Sequence, residues 1–193
     1  MYGDKIYQLL SIFLKYFEKK ELKESLNSNL VKKSYDIILF GCHRTGYNIL
    51  DRLKKNKRIL VVDLNPEVIS QLKENNINAI YADVSDIEII KEISKIKTNY
   101  VVSTIPSLES NQLITKNFRK EQPKTIIFAN AKHTIDCLEL YKFGADFVMF
   151  PEFLVGHKIA DYLTHLKPNG IKKWGKSYYM KFVEDVRSGK LVV

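Results

Sequence analysis

Hydrophobic and polar positions along this chain fall into two alternating rhythms. Short apolar runs recur at 36–40, 58–63, 78–81, 100–103, 125–128 and 147–150. Between them lie stretches whose apolar residues repeat at helical spacing, over 44–55, 66–75, 86–94, 108–119 and 133–143. Asn65 and Pro66 open the second of these as cap and first-turn residue, and Gly144 stops the fifth. After the sixth run, 152–166 again has helical potential, with Phe153, Leu154, Ile159, Leu163 and Leu166 apolar. Six strands, each followed by a helix across a short connection, predict an α/β fold. The expectation is a doubly wound, six-stranded parallel sheet with helices on both faces and right-handed crossovers.

The flanks read differently. Over 3–20 the apolar residues Ile6, Leu9, Leu10, Phe13, Leu14 and Phe17 form a helical stripe, an amphipathic helix reaching about Leu22. A polar linker follows at 24–33. At the other end Pro168-Asn169-Gly170 predicts a turn. The tail 171–193 sets Trp174, Tyr178, Tyr179, Met180 and Phe182 among lysines, and its pattern leaves a strand pair and a short helix both open. The chain therefore divides into 1–34, a body at 35–151, and an extension at 152–193.

Chemistry concentrates where the first strand meets its helix, at Gly41-Cys42-His43-Arg44-Thr45-Gly46. A strand turning through glycines into a helix is the phosphate-binding turn of a Rossmann-like fold, although His43 replaces the middle glycine of Gly-x-Gly-x-x-Gly. Gly41 and Gly46 supply the tight turn and close helix packing, and the amides of Arg44, Thr45 and Gly46 face a phosphate at the helix N-terminus. Arg44 adds a fixed positive charge. Asp63 ends the second strand 22 residues after Gly41, where a carboxylate accepts hydrogen bonds from both ribose hydroxyls of an adenosine. It would repel a 2′-phosphate, which favours AMP, ADP, ATP or NAD(H) over NADP(H). The expected site lies at the C-terminal ends of the first, second and fourth strands, where strand order reverses.

Composition narrows the alternatives. At 193 residues, 45% hydrophobic and 27% charged, the chain can bury a core without staples. No apolar run approaches the roughly 18 residues that span a bilayer, and no signal peptide is visible. Two cysteines, Cys42 and Cys137, make no disulfide framework or metal spacing and suit a reducing cytosol. The net charge of +9 sits on the flanks. Residues 1–34 hold seven lysines against four acids, and 166–193 hold seven basic residues against two acids. Such flanks are candidates for contact with the anionic lipid of a membrane surface or with nucleic acid, or are simply solvated helices. No helix-turn-helix is recognisable, so no nucleic-acid partner is expected.

The run from Asp36 to about Leu163 resembles the RCK domain, the regulator of potassium conductance found in potassium channels, Trk-type uptake systems and Kef-type cation/proton antiporters. The matching residues are Gly41-x-x-Arg44-x-Gly46, Val62-Asp63-Leu64-Asn65-Pro66 and Tyr81-Ala82-Asp83-Val84-Ser85-Asp86. They continue with Val101-Val102-Ser103-Thr104-Ile105-Pro106, Glu109-x-Asn111, and Leu138-x-x-Tyr141-x-x-Gly144-Ala145-Asp146-x-Val148-x-x-Pro151-Glu152. The opening 2–7 also looks like the linker after the last membrane helix of Kef-like and sodium/proton antiporters. The resemblance implies a non-enzymatic regulatory domain at the cytoplasmic face of the membrane, working as a homodimer on a membrane-embedded cation transporter or channel. It implies a nucleotide site made by Gly41, Cys42, His43, Arg44, Thr45, Gly46, Asp63, Leu64, Asn65, Ala82, Asp83, Val84, Ser103, Thr104 and Ile105. In it Asp83 reads the adenine edge, the alternative being that it only caps the helix starting near Asp86, and 103–105 pass beneath the ligand with backbone groups. The chain departs from the family at His43, and ends before the second subdomain many members carry. Rival readings are a stand-alone NAD-dependent oxidoreductase and a Rossmann redox sensor. His133, His157 and His165 fall away from the strand ends, so catalytic and metal sites are not expected.

Overall fold

The computed structural model describes residues 33–187, and the expected helix over 3–20 and all but the last residue of the linker over 24–33 lie outside them. The element order is β1 (Tyr35–Phe40), α1 (Arg44–Leu53), β2 (Ile59–Asp63), α2 (Pro66–Glu74), β3 (Asn78–Tyr81), α3 (Ile87–Ser94) and β4 (Thr98–Ser103). It continues with α4 (Leu108–Glu121), β5 (Ile126–Asn130), α5 (Thr134–Lys142), β6 (Phe147–Met149), α6 (Pro151–His165) and α7 (Pro168–Arg187). All six strands pair in parallel in the order β3-β2-β1-β4-β5-β6. The direction of winding reverses between β1 and β4, as the Rossmann-like expectation requires.

Period-two alternation sorts the strand residues onto two faces. Ile38, Phe40, Leu60, Val62, Ile80, Val101 and Ile127 pack under Ile90 and Ile93 of α3 and Ile114 and Phe118 of α4. Phe40 and Phe118 meet edge-to-face at 6.0 Å, a geometry worth about 0.5–1.5 kcal/mol beyond the area it buries. On the opposite face Ile37, Leu39, Ile59, Val61 and Ala79 pack under Leu50 of α1 and Ile69 and Leu72 of α2. Helix starts follow the sequence: Asn65, Asp86 and Ser107 each accept a first-turn backbone N–H, from Glu67, Glu88 and Ser110 respectively, satisfying donors that no intrahelical carbonyl can reach.

The α1/α2 face is covered over β1–β3 and at Val102 of β4, with Phe128 and Met149 packed against the edge of that cluster. Farther along, Tyr100, Ile126 and Phe147 stand exposed on that side, with the Phe128 ring tilted against Phe147 at 5.5 Å. A parallel sheet normally has both faces covered, so half of one face is left apolar and open among the described residues.

The C-terminal region departs from expectation. Pro168, Asn169 and Gly170 form no turn; they are the first residues of the 20-residue α7, which also resolves the tail as a single helix through Arg187. Proline suits the first helical position because its fixed φ is already helical and its missing N–H would have no partner there. The chain breaks one step earlier, at Leu166, whose backbone is extended at φ −107, ψ 134. Neither α6 nor α7 contains a buried residue.

Candidate functional site

Gly41 follows β1 at φ +82, a conformation that side chains other than glycine's resist. Its N–H donates to Val62 O at 2.9 Å, and its own carbonyl accepts from Thr104 Oγ1 at 3.0 Å. Thr104 N–H in turn donates to Phe40 O at 2.9 Å. The turn is thus fastened to β2 on one side and to the end of β4 on the other. Gly46 then brings α1 against the turn: a Cβ there would sit 2.0 Å from Gly41 O.

His43 is the N-cap of α1, exposed, and its side chain makes no capping bond. The first intrahelical bond is Tyr47 N–H to His43 O at 2.7 Å, so the amides of 44–46 are among the donors a helix start leaves for other acceptors. The first turns of α2, α3, α4, α5 and α6 each carry an acid that answers the helix dipole, Glu67, Glu88, Glu109, Asp136 and Glu152. The first turn of α1 has none and holds Arg44 instead. Its positive end is left for an anion from outside.

Asp63, half-buried at the end of β2, faces this loop. One carboxylate oxygen accepts the Cys42 N–H at 2.6 Å and the other accepts the Asn65 N–H at 2.8 Å. Two amides from two elements fix its plane, while each oxygen retains a lone pair. A ribose diol fits that chemistry. The Cys42 thiol points into the core below; burial, with Asp63 close by, pushes its pKa up to about 12. It is a packing residue that contributes its amide.

All fifteen expected residues gather at the C-terminal edge of β1 to β4, but not all present side chains there. Ala82 is buried and donates its N–H to Asp63 O at 3.0 Å, and Val84 packs against the core. The Ser103 hydroxyl is buried on the α4 face. Asp83 is exposed, with one oxygen accepting both the N–H and the hydroxyl of Ser85; Asp86, and not Asp83, caps α3. Leu64 is 55% exposed beside the Asn65 cap. Sequence reasoning gave no role to Asn111, which is fully buried in α4. Its amide nitrogen donates to Ile105 O and to Asn130 O, both at 2.8 Å, tying the ends of β4 and β5 together. The signal was present in Glu109-x-Asn111. The strut formed by the Thr104 side chain had no signal beyond its place after β4.

A family model described as the TrkA-N domain matches residues 37–151. The chain belongs to the TrkA-N domain family. Potassium channel protein 1 of Methanocaldococcus jannaschii is 26% identical over 151 residues, covering 77% of this chain and 44% of that protein. The chain thus spans less than half of that curated relative. Among solved structures, the TrkA-N domain of the inner membrane protein ybaL from Escherichia coli superposes with TM-score 0.63 at 19% identity, over 69% of this chain and 99% of the other. The Kef C-terminal domain of Shewanella denitrificans in its AMP-bound form gives 0.54 at 15% identity, covering 80% and 96%. The NAD-bound GsuK channel gives 0.53 at 18%, covering 61% and 21%. These likenesses establish a TrkA-N fold.

Proposed function

We propose that this TrkA-N domain is a cytoplasmic regulatory module that binds an adenine nucleotide and, as a homodimer, controls a membrane-embedded monovalent-cation transporter or channel. The carrying observation is Asp63, held by the amides of Cys42 and Asn65 beside a helix start that has no acid of its own. In this reading the carboxylate takes the ribose hydroxyls, the α1 amides and Arg44 take the phosphate, and Asp83 lies toward the base. When bound, the nucleotide supplies no chemistry to the chain; it supplies binding energy that favours one arrangement of the domain pair. Relatives described as a potassium channel, a Kef domain with AMP and a channel with NAD support the ligand class and the partner class.

Pairing is supported by unpartnered apolar surface. Ile135, Leu138 and Tyr141 of α5 are exposed, as are Phe153, Val155, Ile159 and Leu163 of α6 and the open sheet face over β4–β6. Exposed apolar area of that extent marks a protein contact, and two-fold pairing is the commonest way to cover one. A catalytic reading is weaker. The carboxylates at the strand ends, Asp63 and Asp83, accept from backbone or hydroxyl donors, and no nucleophile–base pair adjoins them among the described residues.

The test is mass spectrometry of small molecules released from the purified protein, followed by calorimetry with AMP, ADP, ATP and NAD(H). Micromolar binding of at least one is expected. Protein that carries none and binds none would end this reading.

A further inference from the structure

The three glycine positions of the phosphate-binding turn have three separate causes, and the structure separates them. Residue 41 must be glycine because its φ is +82 and a Cβ would also press on Thr104 Oγ1 at 2.9 Å. Residue 46 must be glycine because a Cβ would lie 2.0 Å from Gly41 O. Both demands are internal to the chain. Residue 43 carries no such demand: its φ of −84 and ψ of −156 are extended backbone open to any L residue, and its side chain is exposed. In a dinucleotide turn the reason for a middle glycine is external, since the pyrophosphate must approach the backbone closely. This chain keeps both glycines that serve its own fold and replaces the one that serves a dinucleotide. The rest of the turn is intact, with Asp63, Cys42 and Thr104 all in their hydrogen bonds.

We infer that His43 sets the ligand class: the site takes an adenosine 5′-monophosphate-type nucleotide and discriminates against NAD(H). This rests on the adenine-nucleotide reading above. The imidazole stands at the start of α1, where the pyrophosphate of a dinucleotide would have to pass, and it is not used to cap the helix. A terminal monophosphate does not need to continue past residue 43. It also concentrates about −1.5 to −2 charge on one phosphorus near neutral pH, whereas each phosphorus of a dinucleotide carries a single charge. That charge meets the α1 amides, Arg44 and an imidazole N–H donor. The same ring that obstructs the longer ligand is a further partner for the shorter one.

Calorimetry with AMP, NAD+ and NADH on the parent protein, His43→Gly and His43→Ala tests this, with a melting temperature for each variant to show that it is folded. AMP should bind the parent at least about tenfold more tightly than either form of NAD, the scale of one charge-assisted hydrogen bond. Both variants should gain NAD(H) affinity and lose AMP affinity by about tenfold, His43→Gly the more strongly, reversing the preference. Parent protein that binds NAD(H) as tightly as AMP overturns the inference and leaves the adenine-nucleotide reading standing, as does a ratio unchanged in both variants. Binding of none of the three by any of the proteins overturns the inference, and the adenine-nucleotide reading falls with it only if ADP and ATP also fail to bind.

Discussion

Gly46→Ala is the sharpest test of how the site is built. The added Cβ would lie 2.0 Å from Gly41 O and 2.9 Å from its carbonyl carbon, with Thr104 Oγ1 at 3.1 Å. Since Cβ contacts below 3.0 Å essentially do not occur, α1 must retreat from the turn by about 1 Å. The neighbour is backbone, not the tip of a flexible side chain, so no rotamer change relieves it. Overpacking of this kind costs about 1–3 kcal/mol and more at rigid contacts, against roughly 1 kcal/mol returned by alanine's better helix propensity. For a 2.0 Å clash with backbone the cost lies at or above the top of that range, so a net loss near 2 kcal/mol is expected, lowering the melting temperature by about 4–8 °C for a domain of this size. Gly175→Ala in α7 is the control: nothing lies within 4 Å of its Cβ, so propensity alone acts and the variant should match or exceed the parent. Thermal melts by circular dichroism read both. A Gly46→Ala melting point within about 1 °C of the parent would show that the turn yields freely, and would refute the close-approach argument.

Other outcomes follow from the same contacts. Asp63→Ala should weaken adenine-nucleotide binding by about 10- to 100-fold, the loss of a charged hydrogen bond worth roughly 1.5–3 kcal/mol; unchanged affinity in calorimetry would mean the ribose is not held there. The Cys42 thiol keeps its proton in the folded chain up to about pH 12, whereas an unburied thiol loses it near 9. Its contribution to stability is therefore complete below about pH 9 and is lost as pH rises toward 12. Cys42→Ala should flatten the fall of the urea midpoint between about pH 8.5 and 11, and parallel curves for the two proteins would count against that assignment. Phe153→Asp with Leu154→Asp should convert a homodimer to folded monomers in sedimentation velocity. An unmodified protein that is already monomeric at tens of micromolar would remove the dimer from the proposed mechanism.

Sequence pattern revealed the body of this fold because its strands are short, continuously apolar and punctuated by recognisable caps. Asn65-Pro66 predicted the start of α2, and the Asn65 side chain does accept from Glu67 N. The glycine turn and Asp63 were legible as a pair because both positions obey backbone constraints that few residue types meet. The long-range fasteners were not legible. Arg119 reaches from α4 to the carbonyls of Gly144, Pro123 and Thr125 and to the Asp146 carboxylate. Gln122 joins the backbone of Ser94, Ile96 and Thr98. Such contacts depend on how elements cross, which periodicity does not encode. The region after Pro151 misled for a related reason. Pro-Asn-Gly carries turn chemistry, yet proline is equally suited to open a helix, and only the extended Leu166 decided between the two.

A second set of long-range contacts bears on how a ligand signal leaves the site. Thr104 bonds to the Gly41 carbonyl, and one residue later Ile105 O accepts from Asn111 in α4. Asn111 also holds Asn130 O at the end of β5, and Gln112, its neighbour, donates to Glu139 of α5 at 3.1 Å. Hydrogen bonds, joined by the backbone at Thr104-Ile105 and Asn111-Gln112, therefore link the phosphate-binding turn, through the β4–α4 connection, to the helix that exposes Ile135, Leu138 and Tyr141. Asn111 is buried, and its amide oxygen has no protein partner. An unpaired buried acceptor disfavours this arrangement relative to one that satisfies it. Within the proposed mechanism, a nucleotide pressing on the turn at Gly41 acts on one end of this set of contacts, whose other end is the exposed surface of α5.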